Sequence, residues 1–180
     1  MKKVILTFGL ISGLLITGMM LYSAGMCYSN PQQFKSNDVL GYTALIASFA
    51  FIFVGIKNYR DKYNNKIISF GKAFKVGAFI TLVASTMYVV TWLIDYYLFI
   101  PDFLDRYIDH VLYAAKADGA TEAEIAAKTT EMANYKEMYK NPLLVVLVTY
   151  FEVLPIGLVI ALISALILKR KTLNQKTEAG

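Results

Sequence analysis

The stretch FVGIKNYRDKYNNKIISFGKAFKVGAF, residues 53–79, is basic, rich in aromatic residues and flanked on both sides by apolar sequence. In a soluble protein such a segment would suggest a nucleic-acid patch or a ligand loop. Between two hydrophobic helices it would instead be a short connection at a membrane surface. The character of the flanking sequence decides which of these the segment is.

Four apolar blocks dominate the chain, at residues 4–26, 40–56, 76–100 and 143–168. They raise the hydrophobic fraction of the 180 residues to 57%, above the roughly 45–50% of soluble domains. A membrane span needs roughly 17–25 mainly apolar residues, and all four blocks reach that length, the second only at its lower limit. Since a backbone in lipid must satisfy its own hydrogen bonds, we predict four helices. The predicted fold is all-α, an integral membrane four-helix bundle in a single domain over residues 1–180.

The charged residues are distributed unevenly between the two ends of such a bundle. Both termini and residues 57–75 together hold 12 of the 18 basic residues but only two of the 13 acidic ones. Because cytoplasmic loops collect Lys and Arg, both termini and this loop are predicted to be cytoplasmic, in a multi-pass membrane protein. The N-terminal block is longer than the 7–15 apolar residues of a signal peptide, so a retained span is favoured over cleavage. The basic residues of the loop are Lys57, Arg60, Lys62, Lys66, Lys72 and Lys75.

The opening stretch is therefore predicted to join the second and third spans. Asn64 and Asn65 are typical of a turn, and Ser69 suits the N-cap of a helix that begins at Phe70. The lysines suit anionic lipid headgroups. A contact with a protein partner or effector stays open, whereas no nucleic-acid partner is predicted because so short a loop beside lipid offers little surface.

Several motifs along the chain carry a resemblance. They are FGLISGLL at residues 8–15, FIFVGIKNYRD at 51–61, ISFGKAFKVG at 68–77, an acidic segment after the third apolar block, and KRK at the end of the last one. Together they resemble the bacterial domain of unknown function family 4199. The resemblance covers nearly the whole chain and implies a small multi-span membrane protein, located in the bacterial cytoplasmic (inner) membrane. It implies no activity and carries over no catalytic residue.

Residues 101–142 are predicted to be an external helical segment, folded as a hairpin between the third and fourth spans. Gly119 fits a helix end, Thr121 with Glu124 forms a capping box for the next helix, and Pro142 suits the first turn of the last span. The apolar faces of the hairpin are expected to pack on each other or against the membrane surface. One face of the first helix carries Phe103, Leu104, Tyr107, Ile108, Val111, Leu112 and Ala115.

The single histidine of the chain, His110, lies in this hairpin, and the single cysteine is Cys27. A pH sensor or metal ligand is one interpretation of His110, since histidine titrates near neutral pH. A metal ion needs further ligands at a spacing that the sequence does not provide. An ordinary surface or packing residue is therefore favoured, and no metal site or cofactor is predicted.

Polar residues recur along one face of the third span. Thr81, Ala84, Tyr88, Thr91 and Asp95 follow helical steps of three and four, so they share one face that should look inward. The fourth span contributes Thr149 and Glu152. Asp95, Glu152, Tyr88, Thr91 and Thr149 form the candidate intramembrane polar site. Either the two carboxyl groups share a pocket, where both would not ionise readily, or Glu152 is a neutral hydrogen-bond donor and Asp95 reaches interfacial water.

Aromatic residues cluster near the predicted outer end of the third span. Trp92, Tyr96 and Tyr97 match the aromatic belt that anchors membrane helices at the lipid–water interface.

Small residues recur every four positions in two of the spans. The stripes consist of Gly9, Gly13 and Thr17 in the first span and of Gly157, Ala161 and Ala165 in the last. Stripes of this kind let helices approach closely in lipid, either within the bundle or in a homo-oligomer or a complex with a protein partner.

The function predicted from these features is that of a non-enzymatic membrane scaffold or accessory protein, because no nucleotide motif, nucleophile–base pair or metal cluster is recognisable. The alternative is a small proton- or cation-linked transporter, since intramembrane carboxylates are costly and mark functional sites. An intramembrane enzyme is the least supported of the three interpretations.

Overall fold

A computed structural model describes residues 1–29 and 38–170. All its regular elements are helices, apart from a single isolated backbone bridge within these residues. The helices are α1 (Lys2–Ser29), α2 (Asp38–Tyr63), α3 (Phe70–Ile94, continued by a π-helical turn at Asp95–Phe99), α4 (Phe103–Ala117), α5 (Glu122–Tyr139) and α6 (Pro142–Leu168).

Four of these helices are long and apolar enough to cross a membrane, which confirms the predicted fold class. They cover Lys2–Ser29, Tyr42–Tyr63, Phe70–Phe99 and Pro142–Leu168. All four extend beyond the apolar blocks at one end or both, the fourth by a single residue, because hydrophobicity marks the thickness of the lipid while helical hydrogen bonding continues past it. The extension of α2 through the basic residues up to Tyr63 is the clearest case, since Lys and Arg are good helix formers.

Helix α3 is the centre of the bundle, in contact with α1, α2 and α6. The interior is filled by side chains with no exposed surface, among them Phe49, Ile52, Ile56, Val76 and Ile80. We call the end that carries the α2–α3 loop the basic end, and the end that carries α4 and α5 the hairpin end.

Both small-residue stripes lie inside this bundle. Gly9 faces Ile80 and Val83 of α3, and Gly157 of α6 faces Thr81 of α3 and Phe49 of α2. A methyl group on Gly77 would lie 2.8 Å from the Cβ atom of Ala161. The stripes are thus filled by the chain's own helices, and a homo-oligomer or a protein partner would have to use another surface.

The hairpin forms as the sequence predicts. The two helices break at Gly119, whose φ of +81° lies in the left-handed region that glycine tolerates. Thr121 and Glu124 form the reciprocal capping box, and Asn141 caps α6, with Pro142 in its first turn. His110 is only 6% exposed, in agreement with a packing role in α4.

The turn at the basic end is built from local hydrogen bonds. Asn65 and Lys66 have φ values of 50° and 60°, Asn64 donates to the carbonyl of Ile67, and the Ser69 hydroxyl caps α3 as predicted. The turn is tied to the end of α6 by two backbone hydrogen bonds between Ile68 and Arg170, of 3.2 and 2.9 Å. The basic tail beyond residue 170 lies outside the described residues.

Arg60, one of the residues assigned to the cytoplasmic basic loop, is buried at the end of α2. It is only 9% exposed; its Nε atom lies 2.7 Å from Asp61 Oδ1, and its Nη1 donates to the Leu168 carbonyl at 3.4 Å. Because the last carbonyls of a helix have no partner within the helix, Arg60 stabilises the C-terminal end of α6. The other five basic residues of the loop are exposed.

Candidate functional site

A second apolar core lies at the hairpin end, where the hairpin packs on the ends of the bundle helices. Trp92 stands at its centre, with ring centroids 5.9 Å from Tyr96 and 5.2 Å from Phe103. Tyr139 of α5 contacts Tyr96 at 5.2 Å and Tyr135 at 5.4 Å. We call these five aromatic residues the hairpin cluster. Three of them, Tyr96, Phe103 and Tyr139, pack against a core formed by Trp92 and the buried side chains of Ala24, Ile100 and Val145.

The hairpin cluster corrects the prediction of an aromatic belt facing lipid. Trp92 is only 8% exposed and Tyr96 is half-buried, whereas Tyr97 is 41% exposed. The hairpin folds back over the first two rings, so their apolar surface is buried against protein. Aromatic residues at the end of a membrane helix suit either environment, and the sequence alone does not distinguish them.

A polar clamp joins α4 to the end of α1. The Arg106 guanidinium lies 4.2 Å from the centroid of the Tyr28 ring and donates to the Tyr28 carbonyl at 3.1 Å. Arg106 Nε also lies 2.9 Å from Asp102 Oδ2, and this hydrogen bond holds the pKa of the Asp102 carboxyl below its usual value. The clamp therefore fixes the start of the hairpin to a helix that is distant in sequence.

A further ion pair joins the two hairpin helices. Lys136 of α5 pairs with Asp105 of α4, and this hydrogen bond raises the pKa of the Lys136 ammonium group. Both side chains are more than half exposed, so the pair orients the helices more than it stabilises them.

Glu152 lies within α6, and its side chain is exposed. Burial, followed by the negative charge of Glu152, raises the pKa of the Tyr135 hydroxyl. Burial is also the largest cause of the raised pKa of Tyr139, to which Tyr135 and then Glu152 add. The Tyr88 hydroxyl lies within electrostatic reach of the same carboxyl group. Tyr88 and two tyrosines of α5, Tyr135 and Tyr139, thus lie within electrostatic reach of Glu152.

Asp95 lies at a different depth from Glu152. Thr81 faces Gly157 and Gly77 faces Ala161 across the antiparallel pair α3–α6, which places Glu152 level with residue 86 of α3. Asp95 is nine residues further toward the hairpin end, roughly 13 Å at the helical rise. Asp95 is half-buried and is the first residue of the π-helical turn. A 2.9 Å hydrogen bond from the Ile100 N–H to the Asp95 carbonyl closes that turn. Each carboxyl group therefore has its own surroundings.

Thr149 and Thr91 are the other two residues of the predicted polar site. Thr149 is 3% exposed, and its hydroxyl donates to the Val145 carbonyl of its own helix at 2.7 Å. Thr91 is half-buried on α3. The Thr149 hydroxyl is satisfied locally, as is common for threonine in helices.

Sequence reasoning missed three residues of this region: Tyr28, Arg106 and Tyr135. The spacing of Asp102 and Arg106 signals an i, i+4 pair, but the third member of the clamp, Tyr28, is 78 residues from Arg106. Tyr135 lies one helical turn from Tyr139, yet its approach to Glu152 depends on how the hairpin docks.

Comparisons with known proteins show the family of the chain and leave its activity open. Within the described residues, no group of three or more His, Cys, Asp or Glu side chains is placed to hold a metal ion. No curated protein and no solved structure matches the chain significantly. One family model matches residues 7–170, in agreement with the resemblance carried by the sequence motifs. The chain therefore belongs to the DUF4199 family of proteins of unknown function.

Proposed function

We propose that the chain is a non-enzymatic scaffold or accessory protein of a membrane, which makes its protein contacts through the exposed face of α5. The observation that carries the proposal is the contrast between the two sides of this helix. One side of α5 is held by Tyr135, Tyr139 and the ion pair of Lys136. The other side is open, and no residue of the helix is buried. A helix that is fixed on one side and open on the other is a suitable contact surface.

The open side of α5 consists mainly of small side chains. It carries Ala126, Thr130, Ala133 and Glu137, which follow helical spacing and are all exposed. Small side chains let another backbone approach closely, as the stripes do within the bundle. The bundle, in this proposal, anchors the helix at a fixed height above the lipid.

The proposed location is a bacterial cytoplasmic membrane, with the hairpin outside and both termini inside. In a Cys27→Ser background, a cysteine at Lys128 of α5 should react with a membrane-impermeant maleimide in intact cells. A cysteine at Lys62 should react only after the membrane is opened. Both positions are exposed, so burial does not prevent labelling. The reverse pattern would contradict the orientation argued from the charge distribution.

A second candidate function is proton- or cation-linked transport through Glu152. Its specific support is the position of this carboxyl group in a membrane helix, within electrostatic reach of Tyr88, Tyr135 and Tyr139. Acidic groups at such positions often bind a proton or cation. The hydroxyl groups of these tyrosines would then help to hold the bound proton or cation.

Complementation of a deletion strain separates the two candidates. The double variant Thr130→Arg/Ala133→Arg adds bulk and charge to the open face of α5, and we expect it to abolish complementation. Its stability should change by no more than about 0.5 kcal/mol, as is usual for surface substitutions. Ala117→Arg, on the exposed end of α4, is the matched control and should retain complementation.

Substitutions of Glu152 form the second arm of the same experiment. If Glu152 is only a neutral hydrogen-bond donor, Glu152→Gln should complement fully while Glu152→Leu weakens folding and function. Loss of function in a folded Glu152→Gln variant, together with a proton-dependent flux in proteoliposomes, would instead establish the transport alternative. Full complementation by the α5 double variant would contradict the scaffold proposal.

A further inference from the structure

We propose that the groove between α3 and α6 at the basic end binds one anionic phospholipid, whose headgroup contacts Lys75. This inference is independent of the proposed function. The groove has a volume of about 390 Å³ and is lined by six apolar side chains and one lysine. The lining residues are Phe74, Lys75, Ala78, Phe79 and Leu82 of α3 and Leu154 and Leu158 of α6.

The groove follows from the spacing of residue sizes along the two helices. Lys75, Phe79 and Leu82 lie on one face of α3 at helical spacing, and Leu154 and Leu158 lie one turn apart on α6. Ala78 leaves room between the larger side chains. Phe79 is 42% exposed and Leu82 is 44% exposed, so this apolar surface faces the lipid.

A hydrogen bond joins α3 to α6 just beyond the lining residues of the groove, toward the hairpin end. Thr86 lies one helical turn beyond Leu82, and Tyr150 lies one turn beyond Leu154. Their hydroxyl oxygens are 2.8 Å apart. An acyl chain that enters at Lys75 therefore has a defined end point.

The distance from Lys75 to this hydrogen bond matches one leaflet of a bilayer. Lys75 and Thr86 are eleven residues apart, about 16 Å at the helical rise. The hydrocarbon core is about 30 Å thick, so one leaflet contributes about 15 Å. A single acyl chain fits between the lysine and the Thr86–Tyr150 hydrogen bond.

The charge at the basic end selects an anionic headgroup. Lys75 is exposed, and so are Lys66, Lys72 and Lys169 at the same end of the bundle. The nearby acid, Asp61, is already engaged by Arg60. Basic residues between membrane helices attract anionic headgroups, whereas a zwitterionic headgroup gains little from them.

Fluorescence quenching by lipids with brominated acyl chains tests the site. The reporter is a tryptophan at Phe79 in a Trp92→Phe background, reconstituted in vesicles of brominated phosphatidylglycerol or brominated phosphatidylcholine. We expect the phosphatidylglycerol to bind at this tryptophan about fivefold more strongly than phosphatidylcholine, the factor expected for one lysine near a headgroup. Adding Lys75→Gln should reduce the ratio to about one.

Two control variants separate this site from general surface charge. Lys62→Gln removes an equally exposed lysine from the same end but outside the groove, and it should keep the preference. Ala78→Phe fills the groove and should weaken quenching by both lipids. An equal preference with and without Lys75, or no preference in the reporter protein, would overturn the proposal.

A second measurement needs no tryptophan reporter, so it uses the chain with its native Phe79 and Trp92. Native mass spectrometry in an equimolar mixture of phosphatidylglycerol and phosphatidylethanolamine should show one retained phosphatidylglycerol. That adduct should be lost in Lys75→Gln and kept in Lys62→Gln. Retention of the zwitterionic lipid to the same extent would show an ordinary apolar contact and contradict the assignment.

Discussion

Replacing Trp92 with alanine should release the hairpin from the bundle and destabilise its docking by about 3–5 kcal/mol, the usual loss for a large aromatic side chain in a core. Trp92 is 8% exposed and contacts Tyr96 and Phe103 directly. Hydrogen exchange should show the effect in α4 and α5. Their slowest amides should exchange about 100-fold faster, or more, while the bundle interior changes less because its core is separate.

The control for this variant is Tyr113→Ala in the same hairpin. Tyr113 is 53% exposed, so its loss should change stability by no more than about 0.5 kcal/mol. Similar exchange rates in the two variants would show that the hairpin is held by something other than the hairpin cluster. Uniform loss of protection throughout the protein would show that the two cores unfold as one unit.

Replacing Gly157 with alanine should destabilise the bundle by about 1–3 kcal/mol, because the added methyl group has no free space. It would contact the Thr81 methyl group, and Thr81 Oγ1 and Phe49 Cζ would each lie 3.1 Å away. Both neighbours are fully buried, so neither can move aside without disturbing the core. Unfolding in mixed detergent and denaturant micelles measures the loss.

Gly18→Ala on α1 is the matched control and should have the opposite sign. A methyl group there meets nothing within 4 Å, so the better helix propensity of alanine should stabilise the protein by up to about 1 kcal/mol. Equal effects at the two glycines would mean that close helix approach at Gly157 contributes nothing. The comparison tests whether the small-residue stripe of α6 acts within a single chain.

Local sequence signals predicted most of the fold. The lengths of the apolar blocks identified the four membrane helices, and short capping patterns placed helix ends at Ser69, Thr121 and Pro142. These signals are readable because the groups involved are only a few residues apart. The small-residue stripes also identified tightly packed helix faces, but not whether the neighbouring helix belongs to the same chain.

The arrangement of the candidate site was less predictable, because it depends on tertiary contacts. The sequence pattern grouped Asp95 and Glu152 in one candidate polar site, whereas the register of α3 against α6 places them apart. Charge patterning likewise assigned Arg60 to the cytoplasmic basic loop and did not indicate its burial. Its carbonyl partner, Leu168, is 108 residues away, and no local pattern indicates such a pairing.

The bond from Arg60 to Leu168 also sets an order of events during synthesis. Arg60 leaves the ribosome 108 residues before its partner, which at about 5–20 residues per second amounts to roughly 5–20 s. In the finished protein the Arg60 guanidinium is held by Asp61 and the Leu168 carbonyl. Throughout that interval only Asp61 is present. The basic end is therefore completed last, when α6 has been inserted. In a chain that stops short of α6, Arg60 lacks its carbonyl partner.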